Sequence, residues 1–181
     1  MRERGRVWYL IGPSGAGKDS VMARAREQLA PGAPVLFAHR YITRPARAGG
    51  ENHVELSEAE FCAREARGLF ALTWRSHGLR YGIGLEVEGW LAAGFDVVVN
   101  GSRHALDTAR SRFAGMRPVV VTAPVAMLAD RLARRGRESA EAIALRLAAA
   151  RWDSPEDALE IVNDGELDDA GRILLSALMR T

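Results

Sequence analysis

The sequence predicts an α/β fold built on a five-stranded parallel sheet, and three observations carry that prediction. Five short apolar runs bounded by turn residues recur along the 181 residues: VWYLI (7–11), PVLFA (34–38), FDVVVN (95–100), PVVVT (118–122) and ALEIVN (158–163). Helical patterns fall between them. A glycine-rich stretch, GPSGAGKDS (12–20), joins the first run to the first helical pattern. Unbroken apolar character marks strands covered on both faces, as in a parallel sheet. Strands alternating with helices mark a layered sandwich.

Each element has its own signal. Val21, Met22, Ala25 and Leu29 set a helical stripe over 19–29. Ser57-Glu58-Ala59-Glu60 has the spacing of a capping box and opens a helix running to about Arg67. Pro124 is a good first-turn residue for a helix over 124–135, whose apolar face carries Val125, Leu128 and Leu132. Two stretches, 39–56 and 70–83, are polar, aromatic and punctuated by glycine. They read as a lobe inserted between the second and third core strands. Residues 134–139, RRGRES, read as a mobile connection between two helices.

Composition sets the outer limits. A chain of this length, 48% hydrophobic, buries one substantial core and reads as a single domain. Its net charge is only +2, and its arginines are spread out, so the concentrated basic stripe of a nucleic-acid binder is missing. The single cysteine, Cys62, excludes an internal disulfide framework and suits a reducing cytosol. The N-terminal apolar run is too short for an export signal or a membrane span. A soluble cytoplasmic protein is expected, with no membrane or nucleic-acid partner; oligomeric state is not legible.

The glycine-rich stretch carries the chemistry. Gly12 and Gly17 are five apart, Lys18 follows, a strand precedes and a helix comes after. That context defines a phosphate-binding loop. Glycines let backbone N–H groups curl around an anion, and the helix start adds partial positive charge. Lys18 is the one lysine in a chain whose other 24 basic residues (25 − 1) are arginines. A compact ammonium on a thin stem reaches over such a loop where a flat guanidinium fork does not fit. A nucleoside triphosphate is therefore expected on Gly12, Pro13, Ser14, Gly15, Ala16, Gly17, Lys18, Asp19 and Ser20. Asp19 stands where a Ser or Thr hydroxyl usually meets Mg²⁺. It has two readings: a carboxylate metal ligand, with Ser20 as a neighbour, or an acidic residue favouring the helix N-terminus.

Longer segments extend this into a resemblance. GPSGAGK, ITRPARAGGEN, HGLRYG, LADRLARRGRESAEAIALRL and IVND together resemble the guanylate kinase family of P-loop kinases over nearly the whole chain. The resemblance implies a P-loop NTPase three-layer sandwich: a core of 1–38 and 84–181, an acceptor lobe of about 39–83 and a lid of about 134–146. It implies Arg44, Arg47 and Tyr81 on the acceptor phosphate, Arg131, Arg135 and Arg146 as lid arginines, and 161–164 near the adenine. The departures are informative. The family's guanine-reading glutamate falls at about Leu72, and its hydroxyl after the Tyr-Gly pair is Ile83. The aspartates after its third core strand are Asn100 and Ser102, and Glu51 is displaced by an extra glycine. A site without those groups cannot make the guanine hydrogen bonds.

The segments GPSGAGKDS, YITRPARAGGENH, FALTWRSHGLRYGI and VVVNGSR closely resemble the ribose 1,5-bisphosphate phosphokinase family, relatives of guanylate kinase in which Asp19 is typical. That resemblance implies ATP, Mg²⁺ and ribose 1,5-bisphosphate as substrates and 5-phosphoribosyl 1-diphosphate as product, in phosphonate breakdown. Residue chemistry agrees with a base-free, doubly phosphorylated acceptor. His39, Arg40, Arg44, Arg47, His53, Arg80 and Tyr81 supply cationic and polar donors. Asn100, Ser102 and Arg103 end a core strand, where open α/β sheets bind ligands. The four histidines lack metal-ligand spacing, and Trp74 and Trp90 read as core. Two alternatives stand: a guanylate kinase with altered base contacts, and a silent guanylate-kinase-like module that binds proteins.

Overall fold

In the computed structural model the chain is described over residues 4–48, 53–134, 140–148 and 152–180. In chain order the strands are β1 (Val7–Ile11), β2 (Val35–Phe37), β3 (Arg40–Ile42), β4 (His53–Glu55), β5 (Phe70–Ser76), β6 (Leu79–Gly84), β7 (Asp96–Asn100), β8 (Arg117–Thr122) and β9 (Leu159–Val162). The helices are α1 (Lys18–Glu27), α2 (Glu58–Ala66), α3 (Glu86–Ala92), α4 (Leu106–Arg112), α5 (Val125–Arg134), α6 (Ala140–Ala148) and α7 (Leu167–Leu178). A five-stranded parallel sheet runs in the order β2-β7-β1-β8-β9, and a four-stranded sheet runs β4-β3-β6-β5. All five expected core strands are present, each within two residues of the expected bounds.

The chain divides into two compact units, Met1–Tyr9 with Pro34–Arg117, and Leu10–Ala33 with Pro118–Thr181. In the first, β2 pairs in parallel with β7, Val35 opposite Asp96 and Phe37 opposite Val98. Asp96 also accepts from Arg6 N at 2.8 Å and Trp8 Nε1 at 2.9 Å, which satisfies the indole donor of an otherwise apolar strand. The small sheet belongs wholly to this unit. Ser57 caps α2 as its spacing predicts, its hydroxyl accepting from Glu60 N at 3.1 Å.

Strand parity decides what that sheet presents. Trp74 pairs with Tyr81, Leu72 with Ile83 and Ile42 with Tyr81, so these side chains share one face. α2 covers the other face: Phe61 stacks on Phe70 with ring centroids 4.6 Å apart, and Phe70 packs on Tyr41 at 5.6 Å. An irregularity between Phe70 and Leu72 slips the register by one residue. A bulge of this kind turns Phe70 toward α2 while Leu72 faces away.

In the second unit β8 and β9 pair in parallel, Val119 opposite Leu159 through Thr122 opposite Val162. Helix α7 buries Ala170, Gly171, Leu174 and Leu178. A Cβ at Gly171 would stand 2.8 Å from Arg24 Cγ, so the missing side chain allows α1 and α7 to approach closely. Arg24 grips Asp168 with two parallel bonds, Nε to Oδ1 at 2.6 Å and Nη2 to Oδ2 at 2.7 Å. This is the planar fork geometry that suits a guanidinium.

Candidate functional site

The second unit builds its candidate site on the loop after β1. Gly12, Gly15 and Gly17 have φ of +147°, +89° and +87°, in the region that L side chains avoid. A Cβ at Gly12 would lie 2.0 Å from Val121 O, so the loop also hugs the end of β8. Gly17 is the left-handed N-cap of α1, and Lys18 is its first residue. The Lys18 ammonium folds back over the loop, donating to Gly12 O at 2.8 Å and Pro13 O at 3.2 Å. Ala16 N donates to Pro13 O at 3.3 Å. The result is a curled backbone, a helix N-terminus and an ammonium gathered in seven residues, an arrangement that favours anionic oxygens.

Two side chains brace this loop. Asn163, which directly follows β9 and is 4% exposed, donates from Nδ2 to Ala16 O at 2.8 Å. Its backbone N donates to Thr122 O at 2.7 Å, continuing the β8–β9 ladder. Arg131, on α5, donates to Asn163 O at 3.0 Å and reaches Gly15 O and Ala16 O at 3.5 Å. The structure thus sets Arg131 beside the loop itself. Arg135 lies outside the described residues, as does the side chain of Arg146. Asp19 is half-buried in the first turn of α1 and Ser20 is exposed. Among the described residues no group of three His, Cys, Asp or Glu side chains converges as a metal cage. One carboxylate beside a phosphate loop suits Mg²⁺, which is commonly held by one or two carboxylates plus substrate phosphates and water.

The first unit gathers the other candidates. Arg40 lies over the Tyr81 ring, 5.4 Å from its centroid, and Trp74 stacks on Tyr81 at 5.4 Å with the planes 5° apart. Trp74 is thus half-buried in a stack with a neighbouring ring, where the sequence suggests core. Arg44 Nη2 donates to His53 Nδ1 at 3.4 Å, and His53 Nε2 contacts Arg44 O at 3.0 Å. His53 is buried and packs its ring against Arg44. Arg47 is exposed in a short 3-10 turn, Ala46–Ala48. Leu72 and Ile83 face each other directly, 3% and 0% exposed. Glu51 lies outside the described residues.

Arg80 departs from expectation. Its guanidinium pairs with Glu58, and with Glu65 at 2.9 Å, both on α2. Adjacent residues of a strand point to opposite faces, so Arg80 joins α2 while Tyr81 turns the other way. The carboxylates hold it firmly cationic, its pKa raised chiefly by the hydrogen bond to Glu58.

Asn100 is buried at the C-terminal end of β7, and Ser102 follows on the loop. Tyr9, fully buried in β1, holds that loop: its hydroxyl accepts from Ser102 N at 3.0 Å and donates to Ser102 O at 3.2 Å. A Cβ at Gly101 would stand 2.1 Å from the Tyr9 ring. Burial raises the Tyr9 pKa to about 12, against smaller lowering effects from the Ser102 bond and the Arg40 charge. Burial also lowers the Arg103 pKa. Sequence reasoning gave Tyr9 no role, and took Asn163 only as part of the segment 161–164 near the adenine. The available signals were a phenol inside an aliphatic run and an amide directly after an apolar one, since both groups require partners once buried.

Among known proteins the chain is 61% identical over 177 residues to ribose 1,5-bisphosphate phosphokinase PhnN of Laribacter hongkongensis, covering 97% of this chain. It spans only 43% of the length of that longer protein. It is 58% identical over 172 residues to PhnN of Chromobacterium violaceum, covering 94% of this chain and 92% of that protein. For PhnN of Desulfomicrobium baculatum the identity is 53% over 176 residues, with 96% and 94% covered. No protein-family model matches the chain. Among solved structures, a guanylate kinase from Anaplasma phagocytophilum superposes with a TM-score of 0.71 at 17% identity, covering 99% of this chain and 89% of that one. A gluconokinase from Sinorhizobium meliloti gives 0.51 at 20% identity, covering 99% and 94%. These likenesses establish the fold as that of P-loop kinases.

Proposed function

Because the chain belongs to the ribose 1,5-bisphosphate phosphokinase family, we propose that it moves the γ-phosphoryl group of ATP onto ribose 1,5-bisphosphate, giving ADP and 5-phosphoribosyl 1-diphosphate. An oxygen of the acceptor's 1-phosphate forms the new bond to the γ-phosphorus. The bond from that phosphorus to the β-phosphate bridge breaks, and ADP leaves with its electrons. The attacking phosphate is already anionic near neutral pH, so no general base is needed. Catalysis is then positioning and charge stabilisation.

The residues have separate tasks. Gly12 to Lys18 hold the triphosphate, with backbone N–H groups on its oxygens and the ammonium over the β and γ phosphates. Arg44, Arg47 and Tyr81 bind one acceptor phosphate, and Arg40, Asn100 and Ser102 bind the ribose hydroxyls or the second phosphate. Arg131, Arg135 and Arg146 neutralise charge on the transferring group and help exclude water, which would otherwise divert ATP to hydrolysis. Asp19 would hold Mg²⁺, which when bound with the nucleotide would neutralise phosphate charge. Use of ATP and of a soluble sugar phosphate supports a cytoplasmic reading.

The observation that carries the acceptor's identity is the Leu72–Ile83 pair, buried and directly opposed on the face that bears Arg40, Trp74 and Tyr81. These positions would have to offer a carboxylate and a hydroxyl to read guanine, and they are hydrocarbon. A buried base edge left without partners loses discrimination by several orders of magnitude. The test is product identification after mixing purified protein with ATP, Mg²⁺ and either ribose 1,5-bisphosphate or guanylate. Diphosphate formation on the sugar, with guanylate left unchanged, is expected. Efficient guanylate phosphorylation would overturn the proposal.

A further inference from the structure

We infer that Asn163 is a positioning residue for the nucleotide phosphates, acting through the Ala16–Gly17 peptide of the glycine-rich loop. This rests on the nucleotide-binding part of the function proposed above. The side chain spends its one short hydrogen bond on Ala16 O, at 2.8 Å. Every described peptide is trans, so a carbonyl held in one direction sends the N–H of the same peptide in the opposite one. Fixing Ala16 O against β9 therefore points the Gly17 N–H away from Asn163. Arg131 repeats the device one peptide earlier, reaching Gly15 O at 3.5 Å while Ala16 N turns to Pro13 O.

Three features make this a built arrangement. Asn163 is one of three buried polar side chains among the described residues, with His53 and Asn100. It is anchored at both ends, through its own N–H to Thr122 and through its carbonyl to Arg131. Its amide also fills the space a side chain at position 17 would need, since a Cβ there would stand 2.5 Å from Nδ2. The left-handed Gly17 and Asn163 are thus fitted to each other. An isosteric carboxylate at 163 cannot donate while ionised and would repel the Ala16 carbonyl. The peptide is then free to rotate, and the Gly17 N–H loses its aim.

The test compares wild type with Asn163→Asp and Asn163→Ala, each checked by thermal melting. Affinities for ADP and for adenosine are measured, together with KM for ATP and for the acceptor. ADP binding and KM for ATP should weaken by about tenfold or more, the effect of losing a buried hydrogen bond and its geometry. Adenosine affinity and KM for the acceptor should stay within about twofold. Unchanged ADP affinity in a folded variant overturns the inference. So does an equal loss for adenosine, which would make Asn163 a contact to the base. Wild type that binds ADP but ignores ribose 1,5-bisphosphate would sink the proposed acceptor and leave this measurement decisive. Wild type that binds no ADP would sink both.

Discussion

The Lys18 ammonium reaches two carbonyls of its own loop, Gly12 O and Pro13 O, which explains why an arginine-rich chain keeps a lysine there. An ammonium is a small three-donor charge that can bond the loop and still face a ligand. A guanidinium plane is wider, and its donors are fixed in a fork. We expect Lys18→Ala to cut turnover by about 100-fold or more while the melting temperature moves little, because the hydrogen bonds to Gly12 O and Pro13 O lie within one loop and join no separate elements. Steady-state kinetics beside a melting curve checks this, and near-normal kcat would contradict the role given to Lys18. The same scale explains what escaped sequence reading. Lys18 is announced by its motif, whereas Asn163 and His53 meet Ala16 and Arg44, which lie 147 and 9 residues away along the chain. No local pattern encodes such a meeting.

At the scale of elements, apolar runs reveal strands well, because β1, β7 and β8 are buried on both faces and need no alternation. Helices α3, α4 and α7 were not assigned from sequence. Two are seven residues long, and short helices carry too few turns for a period to stand out. The four-stranded sheet was legible as a lobe but not as two faces, since one slipped register between Phe70 and Leu72 changes which residues look the same way. Arg80 and Tyr81 part company for a simpler reason, since neighbours along one strand point to opposite faces. The α1–α7 pair offers a test at this scale. The Arg24 guanidinium holds the Asp168 carboxyl below its usual pKa, mainly by hydrogen bonding. A depressed carboxyl stabilises the fold above its unfolded-state pKa, and the contribution disappears as pH falls through the folded value. Asp168→Asn should therefore lower the melting temperature by a few degrees at most at neutral pH, since the pair is solvent-exposed. The difference from wild type should vanish in acid. A difference that persists unchanged below the carboxylate range would rule out the ion pair as its source.

For the whole molecule, the alkaline limit of stability reports on a group that sequence reading treats as mere core. Tyr9 has its pKa raised from 10.0 to about 12, chiefly by burial, and its neutral hydroxyl ties β1 to the loop after β7. The unfolded chain releases this proton near pH 10 and the folded chain only near 12. Stability is therefore complete below pH 10 and is lost between pH 10 and 12, by roughly 3 kcal/mol over those two pKa units. Tyr41, its pKa raised by burial and by Glu86, contributes in the same direction. Tyr9→Phe separates the two. At pH 8 the variant should be less stable by about 1–3 kcal/mol, because the backbone groups of Ser102 lose their partner. As pH rises past 10, wild type should lose stability faster than the variant, so the gap narrows and can invert near pH 12. Urea midpoints at pH 8, 10 and 11 measure this directly. Parallel curves would mean that Tyr9 titrates alike in the folded and unfolded chain, which would contradict the pKa shift that burial gives its hydroxyl.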